Sequence, residues 1–383
     1  MVSAANSSTP TDVSIAFQGP LTGPNDAQFG INQKNAATYA INLFNNSNSK
    51  YIVHLVDIDD QGDGFVANTI VPTVLANSTI IGVVGPTHTG AAIASRPYYN
   101  ASGLSVISPS ASRITLTEPT SPDFGGPFFH RVVLIDKYQG QTLAKYAISG
   151  VSDPKVYIVN SLEPYATNLA SFVRASISSM KEVSLVGQES IPTGTTDYTD
   201  FALRVKAVRA KVVIYAGYAT DAGKLVKALR LSGFTGVFAG GDGVQGQGNA
   251  FVDAAGTQAA EGARITVGTI PLSNISQTLE VDFQKKMHLS SESFADNTID
   301  ATDVFLTCIS QGAVTRIKMN FCVNHFSGKS ILGDTFSFDA NGDKVPNVFH
   351  RFVVNSGSYR LVDKVNFDAA KFLSNFPWFG EKK

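Results

Sequence analysis

From Asp12 to about Gly240 the sequence alternates short β-rich runs with longer runs at helical spacing, and this alternation constrains the fold more than any other feature. The run "VSIAF" (13–17) precedes "QFGINQKNAATYAINLFN" (28–45), where Ile31, Ala36, Ala40, Ile41 and Phe44 keep roughly helical spacing. The series continues through strand "YIVHLVDID" (51–59), helix 64–76, strand "IIGVVG" (80–85), a helix from about 90 to 100 and strand "LSVIS" (104–108). Strands joined through helices need right-handed crossovers, which set them side by side in a doubly wound parallel sheet. A Pro/Gly/Ser-rich break, "TEPTSPDFGGP" (117–127), followed by "FFHRVV" (128–133), interrupts the rhythm. It then restarts: helices over 138–149, 166–179, 198–208 and 220–233 alternate with strands over 155–160, 183–190, 211–217 and 236–240. Two α/β lobes of the same architecture are expected. Residues 260–383 are less regular, with helices near 276–288 and 296–310 and a β-rich end over 335–362.

A chain of 383 residues exceeds one ordinary core, which agrees with two domains. Hydrophobic residues at 43%, charged residues at 16% and 33 glycines fit a globular α/β protein with many turns. The formal net charge of -1 argues against a general nucleic-acid or anionic-membrane partner, because no cluster of Lys and Arg supplies the attraction such surfaces require. A small neutral or zwitterionic ligand fits better. No run approaches the roughly 20 apolar residues of a membrane span, and no basic-then-apolar signal segment is present, so a soluble chain is expected. The start, "MVSAANSSTPTD", is small and polar and reads as a flexible tail over 1–11, either a tether behind a removed signal or an ordinary disordered end. Cys308 and Cys322 are spaced for one disulfide in an oxidising compartment and lack the paired spacing of a zinc site; buried free thiols are the alternative.

The stretch "VFAGGDGVQG" (237–246) contains a literal G-x-G-x-x-G, yet it is a poor phosphate cradle. Asp242 occupies an x position and repels phosphate, and no long helix follows directly, as the dinucleotide fingerprint requires. In open α/β sheets the ligand crevice lies at the carboxyl ends of the strands, and several polar groups fall at such ends. After "IIGVVG" come Thr87, His88 and Thr89; after "LSVIS" come Ser110 and Ser112. Hydroxyls and backbone N–H groups at helix starts bind carboxylates, although residues of this kind commonly serve only as N-caps. In the second series Tyr165 follows "KVYIVN", Tyr218 follows "KVVIYAG" and Asp242 follows "GVFAG". A carboxylate there anchors an ammonium while aromatic faces supply walls; half-buried packing and an Asx turn are the plainer readings. Together the two sets sketch a clamp for a zwitterion.

On these residues the chain resembles a type I periplasmic binding protein of the leucine/isoleucine/valine-binding family, the solute receptors of ABC importers. The resemblance runs from about Val13 to Val362 through "IAFQGPLTGPNDAQFGINQKNAATYAIN", "HLVDIDDQGD", "IIGVVGPTHTGAA", "GLSVISPSAS", "FFHRVVLIDKYQG", "VVIYAGYATDAGKLVKALR", "GGDG" and "FSFDANGD". It implies two doubly wound lobes joined by a three-segment hinge with the ligand cleft between them. Lobe I would comprise 12–131 plus 265–345 and lobe II 132–264 plus 346–377, with crossings near 131, 264 and 346. Carried over residue by residue, the family's carboxylate-binding positions read Thr89, Ser110 and Ser112. Its amine-binding acid matches Asp242, its cleft tyrosines match Tyr165 and Tyr218, and Phe29 and Phe294 fall where side-chain contacts are expected. Two departures bear on specificity: Phe29 lacks the phenol often found there, and His88 adds a titratable ring beside the carboxylate loop. In this picture Cys308 and Cys322 form a disulfide tying the helix near 296–310 to the segment after "VTRIKMN".

The function implied is capture of an amino acid, apolar or branched-chain, by hinge closure, and its delivery to ABC transporter permease subunits. The expected protein is a monomer without cofactor or metal, periplasmic or extracellular, with lipoprotein tethering a further expectation. An enzyme is the competing class, since cleft Ser, His and Asp also serve hydrolases. However, "SPSAS" lacks the glycines of a nucleophile elbow, and the six histidines form no metal-spaced cluster. The other alternative is a periplasmic or regulatory sensor of amides, urea or aromatic acids.

Overall fold

A computed structural model describes residues 9–23, 27–47, 50–246 and 248–367. The first passage of the chain forms β1 (Thr11–Gly19), α1 (Ala27–Ser47), β2 (Tyr51–Asp59), α2 (Gly64–Leu75), β3 (Ile80–Val84), α3 (Thr89–Ser102), β4 (Ser105–Ser108) and β5 (Phe129–Arg131). The second forms α4 (Asp136–Ile148), β6 (Lys155–Asn160), α5 (Pro164–Ser178), β7 (Ser184–Ser190), α6 (Thr199–Ala207), β8 (Val212–Ala216), α7 (Ala219–Leu231) and β9 (Val237–Gly240). It closes with the short helices α8 (Asp242–Gln245), α9 (Ala250–Ala255) and α10 (Thr257–Ala260), and β10 (Arg264–Val267). There follow α11 (Leu272–Ile275), α12 (Gln277–Met287), α13 (Ala295–Ser310), α14 (Arg316–Asn324), β11 (Ser327–Lys329) and β12 (Thr335–Phe338), then β13 (Lys344–Val345), β14 (Asn347–Asn355) and β15 (Ser358–Phe367).

The chain divides into two units. Unit 1 holds residues 1–133 and 270–343; unit 2 holds 134–269 and 344–383. These boundaries depart from the expected ones by a few residues. β10 pairs in parallel with β9 and antiparallel with β14, so 265–269 belong to unit 2 rather than to the first lobe. Val132 goes the other way: its N–H bonds to Ser108 O at 3.0 Å and its side chain joins the unit 1 core. Thr11, expected in the tail, opens β1 opposite Tyr51; residues 1–8 of that tail and 368–377 lie outside the described residues.

Unit 1 carries a five-stranded parallel sheet in the order β2-β1-β3-β4-β5. Its inner strands β3 and β4 are buried on both faces because both are covered; every residue of β3, "IIGVV", is buried. One core groups β1 residues Ile15 and Phe17 with Ala36 and Ala40 of α1 and Val304 and Phe305 of α13. The other groups Ala16 and Val83 with Val71 of α2 and Tyr99 of α3. Cys308 of α13 is disulfide-bonded to Cys322 of α14, with Cα atoms 5.8 Å apart.

Unit 2 repeats the plan. Its sheet runs β15-β14-β10-β9-β8-β6-β7, in which β7 to β10 and β6 are parallel and the β14–β15 hairpin adds antiparallel strands. In both units the five parallel strands therefore follow the order second, first, third, fourth, fifth. The strand order reverses beside the first strand of each, and crevices form at the carboxyl ends there.

Candidate functional site

In unit 1 the loops after β3 and β4 meet at the switch point. Gly85 adopts φ +123, and a Cβ there would lie 2.3 Å from Gln18 O, so only glycine lets the chain leave β3 this way. Ser108 Oγ then ties the loops together: it donates to Pro86 O at 2.6 Å and accepts from Ala111 N at 2.9 Å. Thr89 begins α3 and is 3% exposed; its neighbour His88 is the N-cap yet makes no side-chain cap, so this loop is not spent on capping. Ser110 Oγ donates to Thr87 O at 2.8 Å and lies 3.2 Å from Gln33 Oε1. Ser112 is 1% exposed, and its Oγ has no hydrogen-bond partner among the described residues.

The loop carrying these serines is held from two sides by residues that sequence reasoning did not single out. Arg131, fully buried, bonds Asp343 Oδ1 at 2.5 Å, donates to Ala111 O at 3.2 Å and Arg113 O at 2.7 Å, and reaches Thr117 Oγ1. Asn297 Nδ2 donates to Pro109 O at 3.3 Å. An arginine at the end of the "FFHR" strand is the only hint in the sequence; its partner Asp343 lies 212 positions away.

Three rings gather in the same unit. Phe29 meets His88 at 5.2 Å and Phe294 at 5.5 Å, both edge to face. His88 Nδ1 lies 3.0 Å from Thr87 Oγ1, and burial pushes its pKa down to about 4, so the imidazole is neutral at pH 7. Phe294 is 3% exposed and takes the left-handed conformation, φ 67, where the chain turns into α13.

In unit 2 the corresponding strand ends bring Tyr165, Tyr218 and Asp242 together. Tyr165 Oη donates to Asp242 Oδ1 at 2.7 Å, and the Tyr165 and Tyr218 rings are 5.8 Å apart. Gly243 N–H also bonds Asp242 Oδ1, at 2.9 Å. A Cβ on Gly243 would lie 2.5 Å from Gly217 O and 2.9 Å from the Tyr165 ring, which is why glycine follows the acid. Asp242 is 5% exposed, more enclosed than an acid simply presented between glycines, and it makes no Asx turn. Burial raises its pKa, opposed by the bonds from Tyr165, Gln139 and Gly243. Burial and the nearby Asp242 and Asp136 carboxylates raise that of Tyr165 well above the usual phenol value, so Tyr165 keeps its proton and donates. Among the described residues, none of the hydrogen-bond partners of Asp242 is cationic. Ser161, fully buried after β6, has an Oγ without a partner among the described residues.

Among the described residues no group of three or more His, Cys, Asp or Glu side chains is placed to hold a metal ion, and no helix is long and apolar enough to cross a membrane. Residues 12–347 match the family described as periplasmic binding protein. The chain belongs to the periplasmic binding protein family. The family is one of solute-binding receptors, not enzymes, and the fold is of the type I kind. It is 27% identical over 336 residues to the Leu/Ile/Val-binding protein BraC3 of Rhizobium johnstonii, covering 85% of this chain and 88% of the relative. Its fold is that of the Streptococcus pneumoniae branched-chain amino acid substrate-binding protein LivJ, solved in complex with isoleucine, at TM-score 0.82 and 22% identity; the match covers 93% of this chain and 100% of that one. A Rhodopseudomonas palustris ABC transporter solute-binding protein, solved with 3,4-dihydroxybenzoic acid, superposes at TM-score 0.79 with 16% identity, over 94% and 99% of the two chains.

Proposed function

We propose that this periplasmic binding protein captures an α-amino acid with an apolar side chain outside the cytoplasm and hands it to the permease of an ABC importer. The observation that carries the reading is Asp242: a buried carboxylate whose hydrogen-bond partners among the described residues are all neutral is costly until a cation joins it. An α-ammonium supplies that cation, with Tyr165 and Tyr218 as its aromatic surround. The ligand carboxylate goes to the unit 1 hydroxyls Thr89 and Ser112, in the loops that Ser110 ties together through Thr87 O, where the amino end of α3 adds a favourable dipole. Phe29, Phe294 and the neutral His88 ring supply apolar and edge-polar contact for the side chain. Capture is by hinge closure across the three chain crossings, and the protein acts as a monomer.

The names of relatives support the class of ligand: several are leucine/isoleucine/valine-binding proteins. The aromatic trio in unit 1 favours a second reading, an aromatic carboxylate. A thermal-shift screen of the standard amino acids against benzoates, followed by calorimetry, decides between them. Stabilisation by an apolar amino acid and not by benzoates is the expected result; the reverse selects the aromatic acid.

A further inference from the structure

Gln33, on α1, is fully buried, and one end of its amide has no partner among the described residues. With Oε1 set towards Ser110 Oγ (3.2 Å) and Thr298 Oγ1 (3.4 Å), the end left over is Nε2. Proton bookkeeping contradicts that setting. Each hydroxyl has one proton, and both protons are already committed at shorter range: Ser110 Oγ donates to Thr87 O at 2.8 Å and Thr298 Oγ1 to Phe294 O at 2.7 Å. Backbone carbonyls only accept, so neither hydroxyl has a proton to give Gln33. Both have lone pairs to spare. Turning the amide over matches both hydroxyls, since Nε2 has two protons and faces two acceptors. The end without a partner is then the carbonyl oxygen.

From this we infer that Gln33 is a specificity-determining residue of the ligand site, whose amide oxygen receives an N–H of the ligand's α-ammonium beside the hydroxyls that hold its carboxylate. The inference rests on the proposed amino-acid reading and extends it. In an α-amino acid the ammonium and carboxylate share one carbon, so an amide whose nitrogen rests on Ser110, in the loop that carries Ser112, sets its free oxygen near the ammonium. An acid without a donor, such as benzoate or a deaminated amino acid, leaves the buried oxygen unpaired and is penalised. Sites built to hydrogen-bond a substrate group discriminate most strongly against analogues that lack it.

The test compares the amino acid that stabilises the wild type most with the same acid lacking its α-amino group, by calorimetry, on wild type, Gln33→Leu, Gln33→Glu and Asp242→Asn. In Gln33→Leu, Ser110 and Thr298 keep their backbone acceptors, and melting curves check the fold. The amino acid is expected to weaken roughly tenfold or more in Gln33→Leu, with the deaminated acid within about twofold of wild type. Gln33→Glu, which retains an acceptor, is expected to keep the preference for the amino acid. Equal weakening of both ligands in Gln33→Leu, or of neither while Asp242→Asn loses the amino acid, overturns the Gln33 assignment alone. A wild type that binds no amino acid overturns the assignment and the proposed function together.

Discussion

Asp242 and His88 are titratable groups that burial moves in ways bearing on the site. Asp242→Asn keeps the shape and removes the charge; with a charge-assisted bond worth about 1.5–3 kcal/mol, an amino acid ligand is expected to bind about ten- to a hundredfold more weakly, read by calorimetry. Because burial raises the Asp242 pKa, acidification is also expected to weaken an amino acid more than its deaminated analogue. His88 responds in the opposite sense. Its pKa is lowered from 6.5 to about 4, so between those values the unfolded chain binds the proton and the folded one does not. The stability of its neutral burial is complete above pH 6.5 and lost as pH falls towards 4. His88→Phe should lose less stability across that window than the wild type; identical acid slopes in denaturant titrations would show that His88 is not enclosed. The sequence made both residues conspicuous by position; in the structure His88 makes no side-chain cap and packs as a neutral imidazole against Phe29, and Asp242 makes no Asx turn.

The elements themselves were largely legible. β2 and β6 fall on 51–59 and 155–160 as read, and α1, α7 and α13 within about two residues, because long periodic runs between turn residues leave little choice. The short helix over Asp242–Gln245 was not legible: four residues carry no period, and Leu169 and the Tyr165 hydroxyl packed against Gly241 set it. α13 and α14 are joined by the Cys308–Cys322 bond, which closes a short loop beside the unit 1 core. Replacing both cysteines by alanine should cost about 3 kcal/mol of unfolding free energy, the figure for a loop of about 15 residues, without changing ligand affinity. An unchanged denaturation midpoint, or a loss of binding, would contradict this.

At the scale of the whole molecule, one strand order occurs twice, and each copy places its candidate residues at the carboxyl ends of its first, third and fourth strands. If the two sets act on one ligand, saturating amino acid should reduce the radius of gyration in small-angle scattering. At about a hundred times Kd it should also add roughly 2.7 kcal/mol of stability. A raised melting temperature with an unchanged radius would mean that binding proceeds without closure.

Local pattern alone determined the succession of strands and helices, the two-lobed α/β class and the candidate positions after each strand, because periodicity and turn chemistry act over a few residues. Partner choice was decided only in the tertiary structure. Tyr165 finds Asp242 across 77 positions, Ser110 finds Gln33 across the same distance, and Arg131 reaches Asp343 across 212 to hold the serine loop. Strand order sets which carboxyl ends are neighbours, and burial then requires each polar atom there to find a partner in the protein or in a ligand.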